Sequence, residues 1–384
     1  MADNNEKYNT NKDEGYDEED RIAYLRQRRL KREQERKKRL IRRVILIALA
    51  AIALVLIIWG AGALASSGKN SKDNVKLTTI STDNIKHLSF SKLYINTGNE
   101  GMSADEFKTA LQQLYDDGYC LVDIYDIAKI DETGNMVFNK EISFPEGKKP
   151  LILSERDVCY PFDAGEKGIA EKMLINNGNI VCQYTDASGQ VQTGDFDVVP
   201  IVESFIKEHP DFSYNNARGI LSFSGYCGIL GYRTSSYLAS ADNNAYASYG
   251  TFDTASETSS AKEVLSELTV RGWHFASAGF SENISYGSEY SIVEADAVKW
   301  QDEVASVIGS TDIIIFPKQT DIASWKQYSE DNRKYALLKE EGFTYYFIND
   351  QSAPYMTQSE NDFFRQTIYE INSNSDFTNA MGSN

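Results

Sequence analysis

Residues 150–160, PLILSERDVCY, decide the fold of this chain. Residues 151–153 form an unbroken aliphatic run, which predicts a strand buried on both faces, because a half-exposed strand alternates apolar and polar residues. Four polar residues, 154–157, follow at once. In α/β folds the carboxyl ends of the strands carry the functional residues. The pattern therefore predicts a strand that presents Asp157 at a site.

Strand-like and helix-like segments alternate on both sides of this stretch. Ser103, with Glu106 three residues later, predicts the start of a helix. The predicted strands are 87–96, 119–124, a hairpin of 180–184 and 191–196, 219–224, 273–277, 312–316 and 344–348. The helices predicted between and after them are 198–208, 259–271, 291–308, 332–341 and 362–371. This alternation predicts parallel strands joined by crossover helices, and therefore one doubly wound or barrel α/β domain.

Residues 44–65, VILIALAAIALVLIIWGAGALA, contain no charged side chain. A run of this length can cross about 30 Å of hydrocarbon, which predicts a transmembrane helix. A cleavable signal peptide is the competing interpretation, but its apolar region is usually about 7 to 15 residues long. We therefore expect an uncleaved membrane anchor.

The charges around the predicted helix set its orientation. Residues 21–43 contain 12 Lys or Arg and two Glu, and such a basic flank stays on the cytoplasmic side. The sequence therefore predicts a single-pass protein of the cell membrane with a cytoplasmic N-terminus and an extracellular C-terminal domain. Its predicted parts are a disordered acidic and then basic segment, 1–43, the transmembrane helix, 44–65, an extracellular linker, 66–86, and the domain, 87–384.

The net charge of −17 is unevenly distributed. Residues 1–43 contain 14 Lys or Arg and 10 Asp or Glu, net +4, which leaves −21 for the rest of the chain. Nucleic-acid binding needs a basic surface. The acidic remainder therefore excludes nucleic acid as a partner of the domain.

The four cysteines show no CxxC spacing, which excludes a zinc ribbon. Cys120 and Cys182 lie in apolar runs and are predicted to be buried free thiols. Cys159 and Cys227 each follow the end of a predicted strand, so they can meet at one rim of the fold. Whether they form a disulfide stays open at the level of sequence.

The chain contains, in this order, the segments FSKLYINTG (90–98), PEGKKPLILSERDV (145–158), RGILSFSGYCGILGYRT (218–234), GWHFASAGFSEN (272–283) and TDIIIFPKQTDIASW (311–325). In their order and spacing, these and other segments resemble the large Gram-positive branch of the polysaccharide deacetylase family, also called carbohydrate esterase family four or the NodB homology domain. The resemblance covers nearly all of residues 88–371. It implies a distorted (β/α) barrel with a divalent metal at the carboxyl ends of the strands.

The chain departs from the family at the positions that carry the chemistry. The family's paired aspartates, base and then metal ligand, correspond to Arg156 and Asp157, and its two ligand histidines correspond to Ala278 and Glu282. Only the ligand position of Asp157 is kept. A guanidinium cannot act as a base, and it repels a nearby dication. We therefore identify no catalytic residue and expect no metal. We hypothesise that Arg156 pairs with Asp157 and Glu282; an Arg156 turned to solvent is the alternative.

Other residues of the predicted cleft come from loops that follow strands. Pro317 marks a third family element, and the glycine-rich loop after residue 224 supplies Tyr226 and Arg233. Arg233 anchors either that loop or a carboxylate. Tyr226 and Trp325 can stack on sugar rings.

These observations predict a membrane-anchored extracellular protein of deacetylase-like fold that is catalytically degenerate. Its predicted role is to bind polysaccharide or peptidoglycan, or to act as a scaffold, at the cell wall. The alternative is an active N-acetylglucosamine deacetylase, or another carbohydrate hydrolase, with zinc or cobalt held by Asp157, Glu282 and Asp321. A sensor that signals to the cytoplasmic segment is a third class.

Overall fold

The computed structural model describes residues 75–83, 85–96, 101–242, 244–281, 283–319, 321–323, 326–349, 357–360 and 362–382. From Val75 onward the chain forms one compact unit. The predicted cytoplasmic segment, the predicted transmembrane helix and the start of the predicted linker lie outside the described residues. Among the described residues, no helix has both the length and the apolar character to cross a membrane.

Strands and helices alternate through the described residues. The strands are β1 (Leu77–Ser81), β2 (Lys86–Phe90), β3 (Tyr119–Leu121), β4 (Ala128–Ile130), β5 (Met136–Phe138), β6 (Glu141–Pro145), β7 (Lys149–Glu155), β8 (Lys172–Asn176), β9 (Asn179–Thr185), β10 (Val191–Gly194), β11 (Ile220–Phe223), β12 (His274–Ser277), β13 (Ile313–Ile315), β14 (Tyr345–Asn349), β15 (Thr357–Glu360) and β16 (Phe363–Ile371). The helices are α1 (Ala104–Asp116), α2 (Ile124–Ile127), α3 (Ala164–Lys167), α4 (Val198–Glu208), α5 (Thr254–Arg271), α6 (Tyr290–Trp300), α7 (Ser306–Ile308), α8 (Arg333–Glu341) and α9 (Asn374–Gly382).

Seven parallel strands close a barrel in the order β7, β11, β12, β13, β14, β16 and β2, with β2 pairing back to β7. The strand predicted from the opening stretch, β7, lies at a branch of this sheet. Its first residues pair with β3, from Tyr119↔Lys149, whereas its last two pair with β11, from Ile220↔Ser154. The barrel is therefore distorted, because β3 and β11 share one edge of the same strand.

Residues 362–371 correct a prediction, because they form β16 and not a helix. The apolar positions 363, 364, 368 and 371 fit a helical spacing, but the segment is rich in aromatic and β-branched residues, which favour strands. β16 lies between β14 and β2, and most of its side chains are buried, including Arg365 and Gln366. The last helix of the described chain is α9, which the sequence analysis missed.

Most other predicted elements are present, but the strands predicted at 87–96 and 119–124 are shorter and end at Phe90 and Leu121. Helix α4 has the predicted bounds, and α1 begins at the predicted capping box of Ser103 and Glu106. Part of the predicted linker forms β1, which pairs antiparallel with β6. The predicted hairpin of β9 and β10 gains a third strand, β8.

The strands divide the core into two layers. Leu151 and Leu153 of β7 join the large apolar cluster that includes the helices, whereas Ile152 joins a second cluster with other barrel strands. This alternation places Ile152 and Ser154 inside the barrel. Polar side chains interrupt this apolar interior, where the buried His87 contacts the Ser154 hydroxyl at 2.9 Å.

Candidate functional site

An open cleft of about 450 Å³ lies at the carboxyl ends of the barrel strands. It is lined by residues that follow or end five strands. The described lining residues are Arg156, Asp157, Ser222, Ser224, Ala278, Ser281, Ile315, Phe316, Pro317, Lys318 and Glu370. The strand predicted at 151–153 thus delivers Asp157 to this end of the barrel.

Asp157 is held in one orientation by its neighbours. Its backbone has a φ of 54°, its N–H donates to the Ser222 hydroxyl at 3.0 Å, and its Oδ1 accepts the Ser224 N–H at 3.2 Å. Burial acts to raise the pKa of this carboxyl, but Lys92 and hydrogen bonds from Ser224 and Cys159 hold the pKa below its usual value. Asp157 is therefore an ionised carboxylate at neutral pH.

The cation that pairs with Asp157 is Lys92. The Lys92 Nζ lies 3.4 Å from Asp157 Oδ2, and the two side chains are 19% and 27% exposed. Burial alone lowers the pKa of a lysine, but the charge of Asp157 and of nearby groups raises that of Lys92 above its usual value. A permanent ammonium therefore lies against this carboxylate. The sequence analysis did not identify Lys92.

The pairing follows from the register between β2 and β7. Phe90 lies opposite Glu155 in this parallel pair, and the Arg156 N–H donates to the Phe90 carbonyl at 2.8 Å. Beyond this last pair, side-chain contacts join Ser91 to Arg156 and Lys92 to Asp157. A prediction that pairs β2 with β7 in this register would therefore place Lys92 beside Asp157.

Arg156 pairs with a carboxylate that our hypothesis did not include, and of the two that it did include, Glu282 lies outside the described residues. The Arg156 guanidinium forms an ion pair with Glu370 on β16, and it donates to Ser91 Oγ at 2.6 Å and Asn372 Oδ1 at 2.9 Å. Burial lowers the pKa of Arg156 from its usual value, opposed by Glu370 and then Asp157. Glu370 lies on β16, which the sequence predicts as a helix. The position of Glu370 in the cleft therefore could not be predicted from the sequence.

The remaining predicted site residues fall into three groups. Ala278 and Pro317 line the cleft, while Glu282 and Trp325 lie outside the described residues. Tyr226 is buried beside Cys159 and Cys227 and is not a lining residue. Arg233 donates to the carbonyls of Tyr160 and Cys227 at 2.7 and 2.8 Å and lies over the Phe162 ring. Of its two predicted roles, the structure places Arg233 as a loop anchor.

A buried carboxyl pair supports the cleft from the side of α4. Asp197 caps α4 and accepts from the Tyr160 hydroxyl at 2.6 Å and from the Leu93 N–H at 3.1 Å. Glu155, fully buried, lies beside it, and burial together with the charge of Asp197 raises its pKa well above the usual value. Burial raises the pKa of Asp197 as well. The Leu93 contact fixes the loop that carries Lys92.

The described residues do not fit the divalent metal that the sequence resemblance implies. A catalytic zinc site generally needs three protein ligands and an open position. Asp157 is paired with an ammonium, Ala278 has no donor atom, and no group of three His, Cys, Asp or Glu among the described residues is arranged to hold a metal ion. Asp321, the third oxygen ligand of the alternative prediction, pairs with Arg365 and accepts from the Tyr328 hydroxyl at 2.8 Å.

Solved structures similar to this chain include three bacterial proteins. The deacetylase PplD of Streptococcus pyogenes, solved with acetate, is 11% identical, and the match covers 79% of this chain and 99% of PplD with a TM-score of 0.40. IcaB from Ammonifex degensii is 8% identical over 77% of this chain and 96% of its own, with a TM-score of 0.39. BA0330 from Bacillus anthracis is 10% identical, and the match covers 79% of this chain and 69% of BA0330 with a TM-score of 0.33.

No protein-family model matches the chain, and no curated protein does. The closed parallel barrel confirms the distorted (β/α) barrel expected from the sequence.

Proposed function

We propose that this protein binds polysaccharide at the cell wall through the barrel cleft and does not deacetylate it. The observation that carries the proposal is the ion pair of Lys92 and Asp157. The carboxylate that the family would use as a ligand already has a cation beside it, and a second cation, Arg156, stands at the position of the base. A dication would meet two positive charges within the cleft.

The cleft retains features that suit a sugar. The accessible part of its lining combines the hydroxyl of Ser281 with the apolar ring of Pro317. Sugar-binding sites need both, since a pyranose has polar edges and apolar faces. At about 450 Å³ the cleft has the volume of a small-ligand site.

Binding and hydrolysis can be separated in one experiment. The purified full-length protein is titrated calorimetrically with N-acetylglucosamine oligomers, and acetate release is followed with added zinc or cobalt. We expect saturable binding without acetate. Ala278→Trp should abolish binding by filling the cleft, whereas Ala245→Trp, at an exposed loop position, should bind like the wild type.

Metal-dependent acetate release by the wild type would overturn the non-catalytic proposal in favour of a deacetylase. Binding that survives Ala278→Trp would instead move the glycan site away from the cleft. The two outcomes are independent, so each part of the proposal fails separately.

The proposed location rests on the sequence of residues 21–65. We propose an uncleaved anchor with the barrel outside the cell, since a basic flank precedes an uncharged run of 22 residues. Protease added to intact cells should remove the barrel and leave the N-terminal segment protected. Recovery of an intact chain from cells whose surface proteins are digested would contradict this orientation.

A further inference from the structure

Two buried thiols meet beside the cleft. The Cys227 thiol lies 3.3 Å from the Cys159 sulfur, and it also approaches the carbonyl of Cys159 at 3.1 Å. Both cysteines are fully buried. Cys159 follows β7 and Cys227 follows β11, so the contact joins two loops that are 68 residues apart in sequence.

Independent contacts fix the two loops against each other. The Leu230 N–H donates to the Val158 carbonyl at 3.2 Å, and Arg233 bonds carbonyls of both loops, at Tyr160 and Cys227. Gly228 has a φ of 102°, and a Cβ there would lie 1.9 Å from the Tyr232 carbonyl oxygen. The loop therefore requires glycine at this turn, and the approach of the thiols is a product of the fold.

We propose that Cys159 and Cys227 form a disulfide that joins the loop carrying Asp157 to the glycine-rich loop after β11. An S–S bond of about 2.05 Å requires the two sulfurs to move about 1 Å closer. The oxidant is a second disulfide, of oxidised glutathione or of a thiol–disulfide exchange protein. One cysteine thiolate attacks it to give a mixed disulfide, and the other cysteine displaces the leaving thiolate. Two electrons and two protons pass to the oxidant, which ends as two thiols.

Burial determines when this exchange occurs. An oxidant must reach the sulfur that it attacks, and neither thiol is accessible in the folded barrel. The bond therefore forms while the two loops are closing during folding, and the finished barrel shields it from reductants. Cys120 and Cys182 are also buried, and they stay reduced because neither has another cysteine in contact.

The bond also changes the surroundings of Asp157. The Cys159 thiol lies 3.0 Å from the Ser224 hydroxyl and hydrogen-bonds to Asp157. Oxidation removes the thiol proton, so Asp157 keeps the Ser224 N–H and Lys92 as its partners. The cross-link thus holds the carboxylate's loop in place without a thiol donor.

The test counts thiols in the full-length protein after folding in a mixture of reduced and oxidised glutathione. The protein is denatured in acid, alkylated and digested without a reductant, and the peptides are weighed. We expect alkylation at Cys120 and Cys182 and a linked peptide pair from Cys159 and Cys227, two hydrogens lighter than the separate thiol peptides. Four alkylated cysteines, or a bond to Cys120 or Cys182, would overturn the proposal.

Variants connect the bond to stability. The melting temperature of the oxidised wild type should fall by about 5 °C or more after denaturation and refolding with a reductant. Cys120→Ser/Cys182→Ser should show the same fall, and Cys159→Ser/Cys227→Ser should show none. An equal fall in both double variants would overturn the assignment; should the latter variant not fold, the thiol count of the wild type decides alone.

Discussion

The two cations of the cleft are adjacent but are held in different ways. Arg156 has three partners, Glu370, Ser91 and Asn372, whereas the one hydrogen bond that Lys92 makes among the described residues is to Asp157. The guanidinium is fixed by directional hydrogen bonds, and the ammonium by charge. Arg156 therefore organises the ends of β2, β7 and β16, while Lys92 balances the charge of Asp157.

The largest effect should come from restoring the family's ligands with and without Lys92. The triple variant Arg156→Asp, Ala278→His, Glu282→His supplies the family's residues but keeps the ammonium beside Asp157. Adding Lys92→Met should tighten zinc binding at least about a hundredfold, because it removes the ammonium that lies 3.4 Å from the ligand carboxylate. The dissociation constant is measured by competition with a chelator, after each variant is shown to fold.

The matched control for this experiment is Lys318→Met in the same triple variant, since Lys318 is an exposed lysine that lines the cleft. It should leave zinc affinity within a few fold of the triple variant. Equal affinities in the Lys92 and Lys318 variants would show that Lys92 does not control the ligand position.

Breaking the other ion pair should mainly cost stability. Glu370→Gln leaves the Arg156 guanidinium, 23% exposed, without its carboxylate. We expect a loss of about 2 to 3 kcal/mol in the free energy of unfolding, measured with denaturant. Glu146→Gln is the control, because its pair with Lys76 is exposed and such pairs contribute about 0 to 1 kcal/mol. A loss no larger than in the control would contradict the structural role of the pair.

These two ion pairs also show which parts of the site can be predicted from the sequence and which cannot. Residues 150–160 predict β7 and the position of Asp157 because both depend on a local pattern, an aliphatic run followed directly by polar residues. Glu370 and Lys92 depend on which strands are neighbours, and no local pattern records that β16 closes the barrel beside β2. The spacing of Phe363, Phe364 and Ile368 fits a helix as well as a strand, and tertiary pairing decides between them.

Asp157→Asn tests the weaker ion pair through pH. The pKa of Asp157 is below its usual value in the folded protein, so its contribution to stability is present above about pH 4 and is lost as pH falls through the folded pKa. At pH 7 the variant should lose about 1 to 2 kcal/mol, discounted for the partial exposure of the pair. Between pH 7 and 2.5 the wild type should lose more stability than the variant, as followed by denaturant unfolding. Parallel pH profiles would contradict the pair, and Asp83→Asn, at an exposed position outside the cleft, should keep the wild-type profile.

We expect the smallest loss of stability from Ser91→Ala, which removes a hydrogen bond of Arg156 and leaves its charge pair with Glu370 in place. Ser91→Ala removes a hydroxyl that accepts from the guanidinium at 2.6 Å and donates to Asn372 at 2.5 Å. The expected loss is about 1 kcal/mol in the free energy of unfolding. Combined with Glu370→Gln, the two losses should fail to add, because both variants weaken one network around the same side chain. Ser91→Ala combined with Asp157→Asn should be additive, since the structure assigns Asp157 to Lys92. If Ser91→Ala and Asp157→Asn deviate from additivity as much as Ser91→Ala and Glu370→Gln do, then Arg156 and Lys92 belong to one network.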